Sequence, residues 1–203
     1  MILNPEEYNA SYFDGNSQPM RHNAGYSEYK RWYRTEGENS QGEFWKDYAK
    51  RWIDHLVLAN KKVLEIGCAK GFLVKDLRDM GVDAYGLDVS QYAIDNCEPE
   101  VAPYLTVGDA RTALSQYSAR EFDVLISLRF IECIPEADLP ALVSEMNRIS
   151  KLQIHVVDDF TGAKAGAGQY YIQKTQQQWL DNLKWAKGTR IVAQENLNSI
   201  LTK

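Results

Sequence analysis

Hydrophobic residues in the middle of the chain follow two spacings that alternate along the sequence. The first spacing is that of short, buried strands, and its apolar runs cover residues 62–67, 83–89, 104–107, 122–128 and 152–157. The second is a helical stripe, clearest at Leu139, Leu142, Val143, Met146 and Ile149. Strands that alternate with helices of this length predict an α/β fold with a single doubly wound, mostly parallel sheet and helices on both faces.

Local signals predict where several of these elements begin and end. Gly81 follows a helical apolar pattern and is expected to terminate that helix. Ser90 comes directly after the second strand and predicts an N-cap. Thr175 and Gln178 have the spacing of a capping box, which predicts another helix before a final strand at 189–194.

The first 45 residues lack this alternation. Their aromatic side chains show no sustained period, so we expect an N-terminal aromatic-rich cap segment over 1–45 and one domain over 46–203. A chain of 203 residues is long enough for one sizeable core. Apolar residues at helical spacing predict a helix that leads into the first strand, and they are Trp45, Tyr48, Trp52 and Leu56.

Composition narrows the class of protein. Charged residues make up 25% and apolar residues 44% of the chain, which is close to the average for soluble domains. A formal net charge of −5 disfavours a nucleic-acid partner. The sequence shows neither a membrane-spanning apolar run nor a secretion signal, so we expect a cytoplasmic protein without a membrane partner. The sequence does not predict an oligomeric state.

The cysteines do not have the spacing of a metal site. Cys68, Cys97 and Cys133 form no CxxC pair, and no histidine stands at ligand spacing beside them. We therefore expect three reduced thiols that pack as small apolar side chains, and no bound metal.

The segment VLEIGCAKGF joins an acid and two glycines at the end of the first predicted strand. Gly67 and Gly71 lie in the connection to the next helix, where glycine allows close approach of a ligand and a positive φ. Ordinary turn chemistry is the alternative explanation for these glycines taken alone. The spacing matches neither the dinucleotide fingerprint GxGxxG nor the Walker motif, which disfavours NAD and ATP as ligands.

The ExGxxxG segment from Glu65 to Gly71 resembles the first motif of the class I S-adenosylmethionine-dependent methyltransferases. The resemblance implies a Rossmann-like methyltransferase fold with S-adenosylmethionine as cofactor and S-adenosylhomocysteine as product. It implies that Asp88, at the end of the second strand, accepts hydrogen bonds from the ribose hydroxyls. Asp109 and Ala110, just after the third strand, are similar to the residues that contact the adenine in that family.

The N-terminal segment is part of the implied site. Methyltransferases of this type commonly fold that segment over the cofactor, so the resemblance implies that Tyr12 and Tyr29 close the pocket. The implied cofactor-binding residues are Glu65, Gly67, Cys68, Gly71, Asp88, Val89, Asp109, Ala110, Leu128 and Tyr29.

The segment FDVLISLRFIECIP resembles the fourth motif of the same family. In that motif the backbone at the strand end, here Leu128 and Arg129, lies against the cofactor. The sequence departs from the family at two positions, because many relatives have histidine where Cys133 stands and an acid or amide where Arg129 stands.

Methyl transfer from a sulfonium needs positioning more than it needs a dedicated catalytic group. A general base is required only if the acceptor must lose a proton. Ligands in open α/β sheets bind at the carboxyl ends of the strands, so the catalytic candidates are Asp158, His155 and Glu132, with Asp159 beside them. Asp158 stands at a strand end and is the better candidate. His155 lies inside the strand, where we favour a packed core histidine.

The resemblance implies an S-adenosylmethionine-dependent methyltransferase, and we expect it to act on an oxygen or nitrogen of a small-molecule acceptor. Tyr170, Tyr171 and Trp179 are candidates for an acceptor wall. One alternative is a non-catalytic cofactor-binding or partner subunit, which the departures at Arg129 and Cys133 leave open. A second is a nucleic-acid methyltransferase that uses the basic and aromatic residues of YSEYKRWYR. The acidic net charge disfavours this second alternative.

Overall fold

One parallel sheet organises the part of the chain that the computed structural model describes, which comprises residues 5–14, 49–50, 53–54, 58–157, 172 and 174–193. The strands are β1 Lys62–Ile66, β2 Asp83–Asp88, β3 Leu105–Val107, β4 Phe122–Leu128, β5 Ser150–Val157 and β6 Arg190–Ala193. They lie in the order β3-β2-β1-β4-β5-β6, and every neighbouring pair is parallel. The α/β fold predicted from the alternating spacings is therefore confirmed.

Short helices connect most of the strands. They are α1 Ala10–Asp14, α2 Phe72–Asp79, α3 Gln91–Asp95, α4 Ala110–Ala113, α5 Leu139–Ile149 and α6 Gln176–Asp181. The chain runs outward from β1 to β3 and then returns to place β4 on the other side of β1. This reversal creates a topological switch point between β1 and β4, and the carboxyl ends of strands at such a point are where open α/β sheets bind ligands.

The core has a layer on each face of the sheet. On one face, Leu73 and Leu77 of α2 pack with Val63 of β1. On the other face, Leu142 and Met146 belong to α5, whose five buried residues are those of the predicted helical stripe. Burying each such side chain contributes about 1.5 to 3 kcal/mol, so both layers hold the sheet and keep the strand ends in place.

The helix boundaries follow the local signals. After α2, Gly81 adopts a φ of 85°, while the N–H groups of Gly81 and Val82 donate to the carbonyls of Arg78 and Leu77, a Schellman ending. The Ser90 hydroxyl accepts from the Ala93 N–H and caps α3. Thr175 and Gln178 form both hydrogen bonds of the capping box that opens α6. All three predicted boundaries are confirmed.

Three expectations change or fall outside the described residues. β5 begins at Ser150, two residues before the predicted start, and the Ser150 hydroxyl donates to the Met146 carbonyl. Trp179 is fully buried in the core and therefore does not line an acceptor site. The apolar positions of the predicted helix before β1 lie outside the described residues, although residues 49–50 and 53–54 between them are helical.

Among the described residues, no helix has the length and apolar character needed to cross a membrane.

Candidate functional site

The turn between β1 and α2, residues 67–71, has an unusual backbone that we call the glycine turn. Gly67, Ala69 and Gly71 have φ values of 75°, 50° and 71°, which lie in the left-handed region that favours glycine. The Gly67 N–H donates to the Leu87 carbonyl over 2.8 Å, and the Gly71 N–H donates to the Cys68 carbonyl over 2.8 Å. The turn is thereby folded back on the carboxyl end of β2.

Close packing also restricts the two glycines. A Cβ atom added at Gly67 would lie 2.9 Å from the Phe130 side chain, and one added at Gly71 would lie 2.6 Å from the Leu105 side chain. Gly86 in β2 gives room in the same way to the Cys68 side chain, whose sulfur would lie 2.6 Å from an added Cβ. Cys68 is thus a packed, buried thiol beneath the turn.

We expect Gly71→Ala to lower the free energy of unfolding by about 2 to 5 kcal/mol. The left-handed φ costs an alanine about 1 to 2 kcal/mol, and the clash with Leu105 adds about 1 to 3 kcal/mol. Gly81 is the matched control, because its φ is 85° but no atom of the described residues lies within 4 Å of an added Cβ. Urea denaturation should show the smaller loss for Gly81→Ala; equal losses would mean that packing against Leu105 does not restrict position 71.

Two buried carboxyl groups lie next to this turn, and we call Glu65 and Asp88 the acid pair. Only 4% of Glu65 and 8% of Asp88 is exposed. The Asp88 carboxylate accepts from the Ala69 N–H over 2.7 Å and from the Ser90 N–H over 2.8 Å. Burial raises the pKa of Asp88, and these backbone N–H groups partly offset that effect. Asp88 therefore ties the glycine turn to the start of α3.

The Glu65 carboxyl group is less well satisfied. Burial and the nearby charge of Asp88 raise the pKa of Glu65 to about 8, while the backbone N–H of Val74 in the first turn of α2 lowers it. Its Oε2 atom has no hydrogen-bond partner among the described residues. A buried, unsatisfied acceptor next to a second acid favours a ligand that brings positive charge and hydrogen-bond donors.

The third acid of the predicted series has different partners. Asp109 follows β3 and caps α4, because its carboxylate accepts from the Arg111 N–H over 2.9 Å. The Arg111 guanidinium donates to the same carboxylate over 2.6 Å and to Asp138 over 2.9 Å, and it lowers the pKa of Asp109. The structure thus brings Glu65 and Asp88 together and pairs Asp109 with Arg111. Ala110 is buried at the start of α4.

The loop after β4 faces the same edge of the sheet. Leu128 and Val89, at the ends of β4 and β2, are partly buried. Arg129 has a φ of 54°, and its N–H donates to the Val156 carbonyl over 2.8 Å. Its guanidinium Nε lies 3.3 Å from the carboxylate of Glu132, which is fully buried. Positive φ values at non-glycine residues are strained. Of the four among the described residues, Ala69 and Arg129 lie at the carboxyl ends of β1 and β4, whereas Asn60 and Arg120 precede the same two strands.

Cys133 stands in the same loop, at the position where the resemblance to the methyltransferase family implies a histidine. Its thiol donates to the Arg129 carbonyl over 3.3 Å. Burial, followed by the charge of Glu132, raises the pKa of Cys133 to about 12. The thiol is therefore neutral at physiological pH and does not replace a histidine as a base.

His155 is enclosed in a polar network within the sheet. It is fully buried, and its Nδ1 lies 2.8 Å from the Ser127 hydroxyl while its Nε2 lies 3.2 Å from the Gln153 Oε1. The ring packs 4.8 Å from that of Trp185, and burial lowers the pKa of His155 to about 3. Both ring nitrogens have partners, which fits the packed core histidine. A catalytic role for His155 stays a prediction.

Residues 5–14, the docked segment, contribute a side chain that the sequence patterns did not indicate. The Tyr8 carbonyl accepts from the Ser90 hydroxyl, and a hydrogen bond from the Tyr8 side chain lowers the pKa of Cys133. Because Ser90 follows β2 and Cys133 follows β4, Tyr8 spans the carboxyl end of β1. Tyr12 packs edge-on against Tyr8, with 4.8 Å between ring centroids.

Aromatic content was the only local signal for Tyr8, since its partner Ser90 lies 82 residues away in sequence.

Several predicted site residues lie outside the described residues, and these are Tyr29, Asp158, Asp159, Tyr170 and Tyr171.

Curated relatives match somewhat less than half of the chain. The ubiquinone biosynthesis O-methyltransferase of Paraburkholderia phymatum is 33% identical over 91 residues, which are 42% of this chain and 39% of the relative. That of Methylococcus capsulatus is 31% identical over 101 residues, which are 48% of this chain and 42% of the relative. The chain therefore spans about two fifths of the length of these curated relatives.

A solved structure and a family model extend the comparison. A SAM-dependent methyltransferase from Archaeoglobus fulgidus has a TM-score of 0.54 at 20% identity, covering 79% of this chain and 66% of that one, which supports the fold. The family model described as methionine biosynthesis protein MetW matches residues 46–165, more than half of the 203 residues. The resemblance drawn from Glu65 to Gly71 is thus confirmed, and the chain belongs to the MetW family within the class I S-adenosylmethionine-dependent methyltransferase fold.

Proposed function

We propose that this chain binds S-adenosylmethionine at the carboxyl ends of β1 and β2 and transfers its methyl group to an oxygen or nitrogen of a small-molecule acceptor. The acid pair carries this proposal, because Glu65 presents a buried oxygen without a hydrogen-bond partner among the described residues, beside Asp88. S-adenosylmethionine has an ammonium group, a sulfonium centre and ribose hydroxyls, which complement two such acids.

The residues around the acid pair fit this cofactor. In the proposal, Glu65 and the backbone of the glycine turn hold the methionine portion. A carboxylate has about four acceptor positions, so Asp88 can bind ribose hydroxyls while it holds the N–H groups of Ala69 and Ser90. Asp109 contacts the adenine only if its carboxylate is shared with Arg111. When bound, the cofactor supplies a methyl carbon that the sulfonium activates for displacement.

The chain's own contribution to the reaction is mainly positioning and water exclusion. Tyr8 covers the carboxyl end of β1 and links the loops after β2 and β4. An acceptor hydroxyl must lose its proton during transfer, which requires a base at the strand ends. Asp158 remains the first candidate for that base, since Glu132 is paired with Arg129 and His155 is enclosed by Ser127 and Gln153.

An oxygen acceptor is the more specific form of the proposal. The two curated relatives reported above are named O-methyltransferases, and they share about a third of their residues with this chain over the matched region. Phenolic and carboxylic acceptors should therefore be tested before amines.

Titration calorimetry with S-adenosylmethionine, followed by a methyl-release assay over phenols, carboxylic acids and amines, tests the proposal on the full chain. We expect saturable binding of one cofactor per chain and transfer to at least one acceptor. Binding without transfer to any acceptor would favour the non-catalytic subunit, and absence of binding would contradict the proposal altogether. Salt-dependent binding of RNA or DNA would favour the nucleic-acid alternative instead.

A further inference from the structure

The acid pair has too few donors around it to hold two negative charges. Asp88 accepts from the backbone N–H groups of Ala69 and Ser90, and the backbone N–H of Val89 also lowers its pKa. Glu65 interacts with the backbone N–H of Val74, and its Oε2 atom has no hydrogen-bond partner among the described residues. Glu65 lies opposite Gly86 in the β1–β2 ladder, and Asp88 follows two residues later on the same face of the sheet. Two neighbouring carboxyl groups in a buried site cannot both ionise without a large electrostatic cost. One of the two therefore keeps a proton until a positive charge replaces it.

The other groups that face the pair do not provide this charge. Cys68 lies in the glycine turn with its pKa raised well above the usual value by burial, so the thiol is neutral. Lys70 belongs to the same turn, and its ammonium lies over the ring of Tyr92, 5.5 Å from the centroid. It is not among the groups that shift the pKa of Glu65 or of Asp88. On the β4 side, the charge of Arg129 is balanced by the buried carboxylate of Glu132.

We infer that Glu65 and Asp88 share one proton in the ligand-free protein and release it to solvent when a cationic ligand enters, so that cofactor binding is an exchange of a proton for a cation. The O–H bond of the protonated acid, which we assign to Glu65, breaks, and water or buffer accepts the proton. The charge of the site is the same before and after the exchange. This inference rests on the proposed function, since S-adenosylmethionine is the cation concerned.

The exchange has a direct consequence for affinity. Where Glu65 is protonated before binding and ionised afterwards, each unit of pH increase strengthens binding by up to tenfold. The raised pKa of Glu65, about 8, places the pH range from 6 to 7 within this regime. The α-amino group of the ligand keeps its proton in that range, because its ordinary pKa is about 8.

Calorimetry of S-adenosylmethionine binding at pH 7 in two buffers that differ in ionisation enthalpy counts the protons released. We expect close to one proton per bound cofactor for the unmodified chain and none for Glu65→Gln. Glu121→Gln is the matched control, because Glu121 pairs with Lys62 at the amino end of β1 and its loss should leave proton release unchanged. Binding of the cofactor without proton release would overturn the inference and leave the proposed function intact, whereas absence of binding would overturn the proposed function itself.

A second measurement covers the case in which Glu65→Gln no longer binds the cofactor. The dissociation constant of the unmodified chain should fall close to tenfold between pH 6 and pH 7. A dissociation constant that does not change across this range would also overturn the inference.

Discussion

Replacing Asp88 with alanine is expected to lower the free energy of unfolding by about 2 to 4 kcal/mol. The Asp88 carboxylate holds the N–H groups of Ala69 and Ser90, and each hydrogen bond to a charged acceptor contributes about 1.5 to 3 kcal/mol. The cost of burying Asp88 itself is removed at the same time, which reduces the net loss. Urea denaturation at pH 7 measures the effect.

Asp109→Ala is the matched control for this prediction. Asp109 also stands at a strand end, but it is part exposed and acts as an N-cap, whose loss costs about 1 kcal/mol. If Asp88→Ala were no less stable than Asp109→Ala, the two backbone contacts of Asp88 would not hold the glycine turn. Asp88→Asn keeps one acceptor oxygen and is the better variant for measuring cofactor affinity, because less of the turn is disturbed.

Replacing Glu65 with glutamine is expected to raise the free energy of unfolding of the ligand-free protein, by about 2 to 4 kcal/mol at pH 7. This change is opposite in sign to that of Asp88→Ala. The folded protein holds Glu65 with a pKa of about 8, against an ordinary value of 4.5. Between these two values the folded protein binds a proton that the unfolded chain has released, so stability falls as pH rises through this window. Glutamine does not titrate. The difference in free energy of unfolding between Glu65→Gln and the unmodified protein therefore grows from pH 5 to pH 8.

Denaturation of both proteins at pH 5 and pH 8 tests this prediction. Glu121→Gln is the control, since Glu121 pairs with Lys62 at the surface and its pKa is lowered rather than raised. A stability gain for Glu65→Gln that is equal at the two pH values would contradict the assignment of a shared proton to the acid pair. We expect Glu65→Gln to be more stable than the unmodified protein but to bind the cofactor less tightly. Such an exchange of function for stability is typical of a buried acid that serves a ligand.

The elements that could be predicted are those whose signal is local. The five buried positions of α5 repeat at helical spacing, and Ser90, Gly81 and the Thr175–Gln178 pair act within a few residues of their own positions. Hydrophobic period and capping chemistry are properties of neighbouring residues, so they can be recognised before the chain is folded.

The partners of the site residues could not be predicted in the same way. Asp88 and Asp109 have equivalent positions after successive strands, yet one holds the glycine turn and the other pairs with Arg111. Tyr8 reaches Ser90 across 82 residues, and no local pattern records such a contact. The pKa of Glu65 depends on Asp88 at the end of β2 and on the Val74 N–H in α2, which only the crossover connections bring close to it.

By itself, the sequence determined the parallel α/β sheet, its helix boundaries and the family motif from Glu65 to Gly71, because hydrophobic spacing and turn chemistry act over a few residues. Only the tertiary structure decided that Glu65 and Asp88 form a buried pair and that Asp109 forms an ion pair with Arg111. It also decided that Tyr8 lies across the end of β1. Electrostatic effects depend on which charges and N–H groups are adjacent and how far water is excluded. In this fold both conditions are set by contacts between segments that are distant in sequence.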